Sequence, residues 1–328
     1  MSTALVSTEK TALLPVSAEN AFALLTQPER LRRWQTVSAR VDLRAGGDYR
    51  WTVVPGHVAA GTFQEVEPGK RIVFGWGWEG ADGFGPDAST VTVTFEPAEG
   101  GTLVRLVHAG LTEEQAASHL EGWNHFFERL EKAAADGDAG PDEWAYSPAE
   151  LTLQTAADAT LAVLQHVLRG LVEADQPKPT PCQDFTVHQL AEHLIDGIET
   201  LTRAAGGTPD VIRQGPLESV VATAAQQANE AWTKRGTEGT VILGPGEIPA
   251  AMAASILSIE YLVHAWDFAQ ATNQQVHVSD EVVTYVLSIA TPIIDGSRAR
   301  GAFGTQIKIG PDTHVLDRLI AFSGRPTT

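Results

Sequence analysis

The apolar residues of this chain change period once, and that change constrains its fold more than any other feature. Up to about residue 135 the hydrophobic positions alternate, the period of strands with one buried face. After the stretch ADGDAGPDEWAYSPAE, residues 135–150, they recur every three or four residues, the period of amphipathic helices. The stretch itself combines Gly, Pro and acidic residues without periodicity and reads as a linker. A chain of 328 residues divided in this way reads as two domains, each able to bury a core without disulfide or metal staples.

In the first domain, residues 1–135, five segments read as strands: VDLRAGGDYRWTVV, GHVAAGTFQEVEPG, KRIVFGWGWEG, STVTVTFEPAEGG and GTLVRLVHAG. Turn pairs such as Gly46-Gly47, Pro68-Gly69 and Gly100-Gly101 separate them. A helical piece, SAENAFALLTQPERLRRW, precedes the strands, with Ser17 as its N-cap. A long helix, TEEQAASHLEGWNHFFERLEKAAA, follows them, with Leu120, Trp123, Phe127 and Leu130 as its core stripe. One long helix laid on a curved sheet is an α+β arrangement.

Residues 136–147 form the linker, and helical runs follow at about 148–174, 186–205, 216–235 and 248–272. Four amphipathic helices of this length predict an antiparallel four-helix bundle over residues 148–275. Residues 276–328 read as a small α/β extension: a helix at about 279–290, a strand FGTQIKIG and a short helix HVLDRLIAF.

Composition excludes several classes of function. The 41 acidic residues against 23 basic give a formal charge of -18, which argues against nucleic-acid binding. No apolar run approaches the roughly 20 residues needed to span a bilayer, so no membrane partner is expected. The opening MSTALVSTEK lacks the basic and apolar regions of a signal peptide, and a single cysteine, Cys182, fits a reducing cytoplasm. The expected location is cytoplasmic, and a homo-oligomer is compatible with the sequence.

The segment SIEYLVHAWDFAQATNQ, residues 258–274, carries the most chemistry. Glu260 and His264 lie four apart on a helix and share a face, close enough to grip one cation. The plain alternative is a Glu–His hydrogen bond with no metal. His193 in TVHQLAEHLIDG lies within the apolar arc of its own helix and supplies a third donor. Two imidazoles and a carboxylate leave one position open, the ligand count of a catalytic zinc site, although such sets tolerate several divalent metals. His188 and Glu192 read as a solvated pair, and His166 as bundle packing.

The motifs TPCQDFTVHQLAEHL and SIEYLVHAWDFAQATNQ resemble the DinB-like superfamily, close to the mycothiol-dependent maleylpyruvate isomerase metal-binding domain. The resemblance implies His193, Glu260 and His264 as ligands of a zinc ion and mycothiol as co-substrate. The implied activity is that of a zinc-dependent thiol transferase or isomerase, in which an activated thiolate attacks an electrophile. Phe185 stands where the family has Trp. Trp266 packs, while Asp267 orients His264 through its other ring nitrogen or caps a neighbouring helix. Arg298 and Arg300 are candidates to clamp a carboxylate substrate or the thiol, with helix capping or surface exposure as the alternative. Cys182 reads as packing.

In the first domain the histidines His57, His108, His119 and His125 show no ligand spacing, and the aromatic residues read mainly as core. Trp76 and Trp78 in GWGWEG, with Trp123, are instead candidates to line an apolar cavity. The segments SAENAFALLTQPERLRRW, DLRAGGDYRW, GTFQEVEPGKRIVFGWGW, STVTVTFEPAEGGTLVRLVHAGL and EGWNHFFERL resemble the SRPBCC (START-like) superfamily, and within it homologues of the activator of the heat-shock-protein-90 ATPase. That implies a helix-grip fold enclosing an apolar cavity. It opens a second class of function, a non-enzymatic carrier of a hydrophobic small molecule, and a third, a stress-response accessory module. The expected partners are a small-molecule thiol, a hydrophobic ligand, or both.

Overall fold

The computed structural model describes residues 5–182, 185–298, 301 and 303–327. The chain divides into two compact units, Met1–Gly140 and Pro141–Thr328.

In the first unit, strand β1 (Val6–Leu14) leads into helices α1 (Ala18–Thr26) and α2 (Pro28–Leu31). Strands β2 (Ser38–Val41), β3 (Asp48–Val54), β4 (His57–Glu67), β5 (Arg71–Trp78), β6 (Ser89–Ala98) and β7 (Gly101–Leu111) follow, then the long helix α3 (Glu113–Asp136). The strands form one antiparallel sheet in the order β1-β7-β6-β5-β4-β3-β2. Its edge strand β1 was not among the five expected. Only Thr8, Ala12 and Leu14 are buried there, while Glu9 ion-pairs with Arg105 at 2.6 Å and Lys10 donates to Asn124 at 2.8 Å. Charges on an edge strand blur the alternation that marks a strand in sequence.

Helix starts follow local chemistry. Ser17 Oγ accepts the Asn20 N–H at 3.3 Å and caps α1, and Pro28 restarts the chain as α2. Thr112 and Gln115 form a capping box on α3. On α3 the buried residues are Trp123, Phe126, Phe127, Leu130 and Ala133. Leu120, expected in the stripe, is 37% exposed, so the buried face begins one turn later.

The sequence GWGW in β5 separates two jobs by strand alternation. Trp76 and Trp78 share one face with Phe74, and Gly75 and Gly77 occupy the other. The loop after β5 folds back onto that glycine face. A Cβ at Gly77 would lie 1.7 Å from the Gly85 carbonyl oxygen, and one at Gly75 would lie 1.8 Å from an Asp87 carboxylate oxygen. Glycine there lets backbone meet backbone and holds the two tryptophans on the inner face.

The second unit is helical. A short helix, α4 (Glu143–Tyr146), lies inside the expected linker, followed by α5 (Leu153–Arg169), α6 (Val187–Ala204) and α7 (Leu217–Arg235). A hairpin of β8 (Thr240–Leu243) and β9 (Gly246–Pro249) then leads into α8 (Ala250–Thr272), α9 (Asp280–Arg298) and α10 (Val315–Phe322). Helix α5 packs on α7 and α8, α6 also packs on α7 and α8, α9 covers α8 and α5, and α10 rests on α9.

Two expectations for the tail need correction. The segment FGTQIKIG forms no strand among the described residues; it is tied to the fold by the Ile307 N–H to the Ala321 carbonyl at 2.9 Å and by Arg298, which donates to the Gly304 carbonyl. Without a neighbouring strand its alternation has no ladder to join. Helix α9 also runs past residue 290 and through Pro292, because Val282, Val283, Val286, Ala290 and Ile294 keep one face buried at helical spacing.

The substitution Gly77→Ala is expected to lower the stability of the first unit by about 1–3 kcal/mol, since the clash is with backbone and no rotamer relieves it. Gly122→Ala on α3, where an added Cβ meets open space, is expected to be neutral or stabilising by up to about 1 kcal/mol. Chemical denaturation of both variants checks this; equal stabilities would refute the close-approach argument.

Candidate functional site

Helix α8 is apolar on nearly every side, and residues 257–259 and 261–269 are all buried. The acidic and imidazole side chains on it, Glu260, His264 and Asp267, are therefore drawn inside with the apolar ones and require partners there. His264 Nε2 lies 3.2 Å from Glu260 Oε2, and His264 Nδ1 lies 2.9 Å from Asp267 Oδ2. Asp267 is fully buried and accepts two hydrogen bonds from Arg325, Nε to Oδ1 at 2.7 Å and Nη2 to Oδ2 at 2.8 Å. Arg325 also donates to Ser323 Oγ at 3.1 Å.

The third donor comes from α6. That helix begins at a Thr186–Gln189 capping box, and Phe185 just before it stacks on His193 with ring centroids 5.1 Å apart. His193 Nε2 reaches to 4.0 Å from Glu260 Oε2, and its ring meets His264 edge-on at 5.6 Å. The donor atoms of His193, Glu260 and His264 all lie within 4.8 Å of one another. Cys182, His264 and Asp267 are equally close. That second set lacks free donors, because both Asp267 oxygens are already hydrogen-bonded and burial pushes the Cys182 thiol up to about 11.

Electrostatics favour a positive charge on the His264 ring. Burial pulls the His264 pKa down, but hydrogen bonds to Asp267 and Glu260 outweigh it and hold the ring up to about 9. Burial works against ionised Glu260 and Asp267 too, yet His264 and Arg325 keep both carboxyls below their ordinary values. His193, Glu260 and His264 face a cavity of about 490 Å³ that also touches Cys182, Phe303 and Arg325. A second cavity of about 340 Å³ meets His193 and Glu260 from the side of Leu201, Leu243 and Ile256.

Arg298, expected near a substrate carboxylate or thiol, is committed elsewhere. Its guanidinium donates to the backbone carbonyls of Gly304 and Phe322, pairs with Asp295 at 3.3 Å and lies over the Phe322 ring. It ties the tail together and does not line the cavity. Arg300 lies outside the described residues. Among the described residues the arginine at the cavity is Arg325, which sequence reasoning missed: it sits 58 residues beyond Asp267, and no local spacing marks it.

In the first unit Trp76, Trp78 and Trp123 line one pocket with about 80 Å³ of free space, together with Gln35, His119 and Phe126. The histidines there are not scattered. His108 and His119 meet with ring centroids 4.7 Å apart, brought together by β7 and α3. His108 is fully buried in a chain of hydrogen bonds: Trp123 Nε1 donates to His108 Nδ1 at 3.3 Å, His108 Nε2 to Ser89 Oγ at 2.8 Å, and Ser89 Oγ to the Trp76 carbonyl at 2.9 Å. Burial, and then the nearby His119, lower the His108 pKa to about 3.

A family model described as Activator of Hsp90 ATPase homolog 1-like protein (AHSA1) matches residues 15–135. Among solved structures, an AHSA1-like protein of Rhizobium etli is 34% identical, covering 45% of this chain and 93% of its own, with a TM-score of 0.37. A Mesorhizobium loti protein, MLL2253, is 24% identical, covering 40% and 99%, with the same TM-score of 0.37. Two uncharacterised proteins of Mycobacterium tuberculosis, from strains CDC 1551 / Oshkosh and ATCC 25618 / H37Rv, are each 32% identical over 178 residues, which is 52% of this chain and 94% of theirs. The chain belongs to one family with these mycobacterial proteins, and its first domain is AHSA1-like. For the AHSA1-like domain this supports a binding or accessory role; the mycobacterial proteins carry names that assign no activity. No described helix is long and apolar enough to cross a membrane.

The AHSA1-like domain should weaken in mild acid. The folded pKa of His108 lies below the ordinary 6.5, so its neutral ring supports folding above pH 6.5 and the support is lost as pH falls toward 3. Between pH 6.5 and about 5, His108 alone should cost about 2 kcal/mol. Denaturant unfolding of the native chain and of His108→Gln over that window tests this; parallel pH profiles for the two would count against it.

Proposed function

We propose that the helical unit is a divalent-metal centre, with His193, Glu260 and His264 as its ligands and zinc as its metal. The observation that carries this reading is the convergence of three donors from α6 and α8 on one cavity-facing point, with the buried His264 braced from behind by Asp267 and Arg325. The donor chemistry fits. Two nitrogens and one carboxylate oxygen suit zinc, and tetrahedral bonds of about 2.0–2.1 Å call for a modest inward turn of the exposed His193. The resemblance of TPCQDFTVHQLAEHL and SIEYLVHAWDFAQATNQ to the DinB-like, maleylpyruvate-isomerase-type domain supports the same three ligands.

A divalent ion in this site would lower the pKa of a water or thiol in its open position. The residues of the chain supply the rest. Asp267 takes the His264 Nδ1 proton in a hydrogen bond, which fixes the tautomer and points Nε2 at Glu260. Against the pull of burial, His264 and Arg325 together hold Asp267 ionised. The cavity of about 490 Å³ has room for a low-molecular-weight thiol beside the ligands, and the apolar cavity of about 340 Å³ admits the hydrophobic part of an electrophile. The activity that fits is transfer or isomerisation through a small thiol of the mycothiol type.

Equilibrium dialysis of purified full-length protein against zinc is expected to give one ion per chain, abolished in His264→Ala. In Asp267→Asn binding should weaken by about 10–100-fold, the usual effect of losing a carboxylate that orients a ligating histidine. Native protein that binds no more zinc than His264→Ala would sink the metal reading. Consumption of mycothiol with an electrophile, lost in His193→Ala, tests the reaction separately. A zinc-loaded protein without such consumption would keep the metal and remove the transferase.

A further inference from the structure

Two helices bound the apolar cavity of about 340 Å³ with residues one turn apart: His193, Gly197 and Leu201 on α6, Ile256 and Glu260 on α8. Leu243 of β8 and Asp196 complete most of the lining. In that wall the residue facing the carboxylate of Glu260 is a glycine. A Cβ built on Gly197 would lie 3.9 Å from Glu260 Oε2 and, outside its own helix, meets nothing else within 4 Å among the described residues. The same oxygen lies 3.2 Å from His264 Nε2 and 4.0 Å from His193 Nε2.

Packing gives no reason for that glycine. It lies in the middle of α6, where glycine is less favourable than alanine, and 3.9 Å is ordinary van der Waals contact, so a methyl group fits. Its backbone is not left-handed, and no neighbouring helix backbone comes close to it. What the missing side chain supplies is space. It leaves His193 and Glu260 open to the apolar cavity.

The rim carries charge of one sign. Arg213 pairs with Asp196 at 2.6 Å, Glu192 at 2.8 Å and Glu199 at 3.3 Å, and Arg203 pairs with Glu199 at 3.0 Å. Three carboxylates against two guanidiniums leave this network one net negative charge. No Lys or Arg is among the described residues lining the cavity. A carboxylate entering there meets Asp196, and the nearest guanidinium is already shared among three acids.

We propose that Gly197 is the specificity-determining residue of the metal centre, opening it to an electrophile with an uncharged apolar tail, while Asp196 turns carboxylate-bearing tails away. The tail runs past Gly197 along Leu201, Leu243 and Ile256, and the reacting end stays beside Glu260 and His193. This inference rests on the reading of His193, Glu260 and His264 as metal ligands.

Cobalt-loaded full-length protein tests it without turnover, because a thiol entering the open position changes the visible spectrum of the metal. Ethanethiol, hexanethiol and 6-mercaptohexanoate separate tail length from tail charge. Each buried methylene contributes up to about fourfold, so hexanethiol is expected to bind at least about tenfold tighter than ethanethiol. 6-Mercaptohexanoate is expected to be weaker than hexanethiol by on the order of tenfold, and Asp196→Asn should narrow that gap. Gly197→Leu, whose side chain fills the cavity, should still take up cobalt and bind ethanethiol but lose the gain with hexanethiol. Gly197→Ala should unfold at the same or a higher denaturant concentration than the native chain. With cobalt bound, four results would each overturn the proposal and spare the metal centre: no tighter binding of hexanethiol than of ethanethiol, a gain that survives Gly197→Leu, equal binding of 6-mercaptohexanoate and hexanethiol, or a destabilised Gly197→Ala. A chain that takes up no cobalt would remove the metal centre and this proposal with it.

Discussion

A single fully buried carboxylate, Asp267, sets the arrangement around it in the second unit. In so apolar a helix an unpaired carboxylate would cost several kcal/mol, and both of its oxygens must find donors. Arg325 supplies two and His264 Nδ1 a third. The last described residues of the chain are thereby drawn against the C-terminal part of α8, and Ser323 is fixed beside them through Arg325. Truncating either partner would leave a charge behind in the interior, so the tail belongs to the site as much as α8 does.

The same carboxylate determines what the cavity presents. With Nδ1 committed to Asp267, the other nitrogen of His264 has only one direction, toward Glu260 and His193. Without a metal the cluster is balanced: two carboxylates, Glu260 and Asp267, against the imidazolium of His264 and the guanidinium of Arg325. In the proposed metal-bound state a divalent ion replaces the His264 proton and the cluster carries one net positive charge. A neutral ligand in the open position would leave that charge in a partly apolar cavity, whereas a single anion cancels it. A thiolate meets this requirement.

Much of this was legible in the sequence where chemistry is local. The i, i+4 pair Glu260 and His264 follows from helix spacing alone, and His193 from its phase on α6. Ser17 and Thr112 announce helix starts because a cap acts within three residues. What distance in sequence hides is partner choice. Arg298 and Arg325 look alike as residue types, yet one binds carbonyls of its own tail and the other a carboxylate on α8. Strand β1 and the hairpin β8–β9 were missed, and FGTQIKIG was over-read, because a strand is defined by the neighbour it pairs with. His108 and His119, eleven residues apart, gave no spacing signal because one lies on a strand and the other on the helix that follows it.

The buried imidazoles of the two units were treated alike by desolvation and ended in opposite states. Burial disfavours charge on both His264 and His108. At His264 two carboxylates overturn that preference and the ring is a cation. At His108 the neighbours are an indole N–H, a serine hydroxyl and a second imidazole, none of which rewards a proton, and the ring stays neutral. Each environment also limits its guests. Carboxylate-flanked donors attract a cation and, once it is bound, an anion. Neutral donors and acceptors among tryptophans give an ion nothing to pair with. The two units therefore treat charge in opposite ways: the helical unit holds an ionised cluster, and the AHSA1-like domain keeps its buried imidazole neutral.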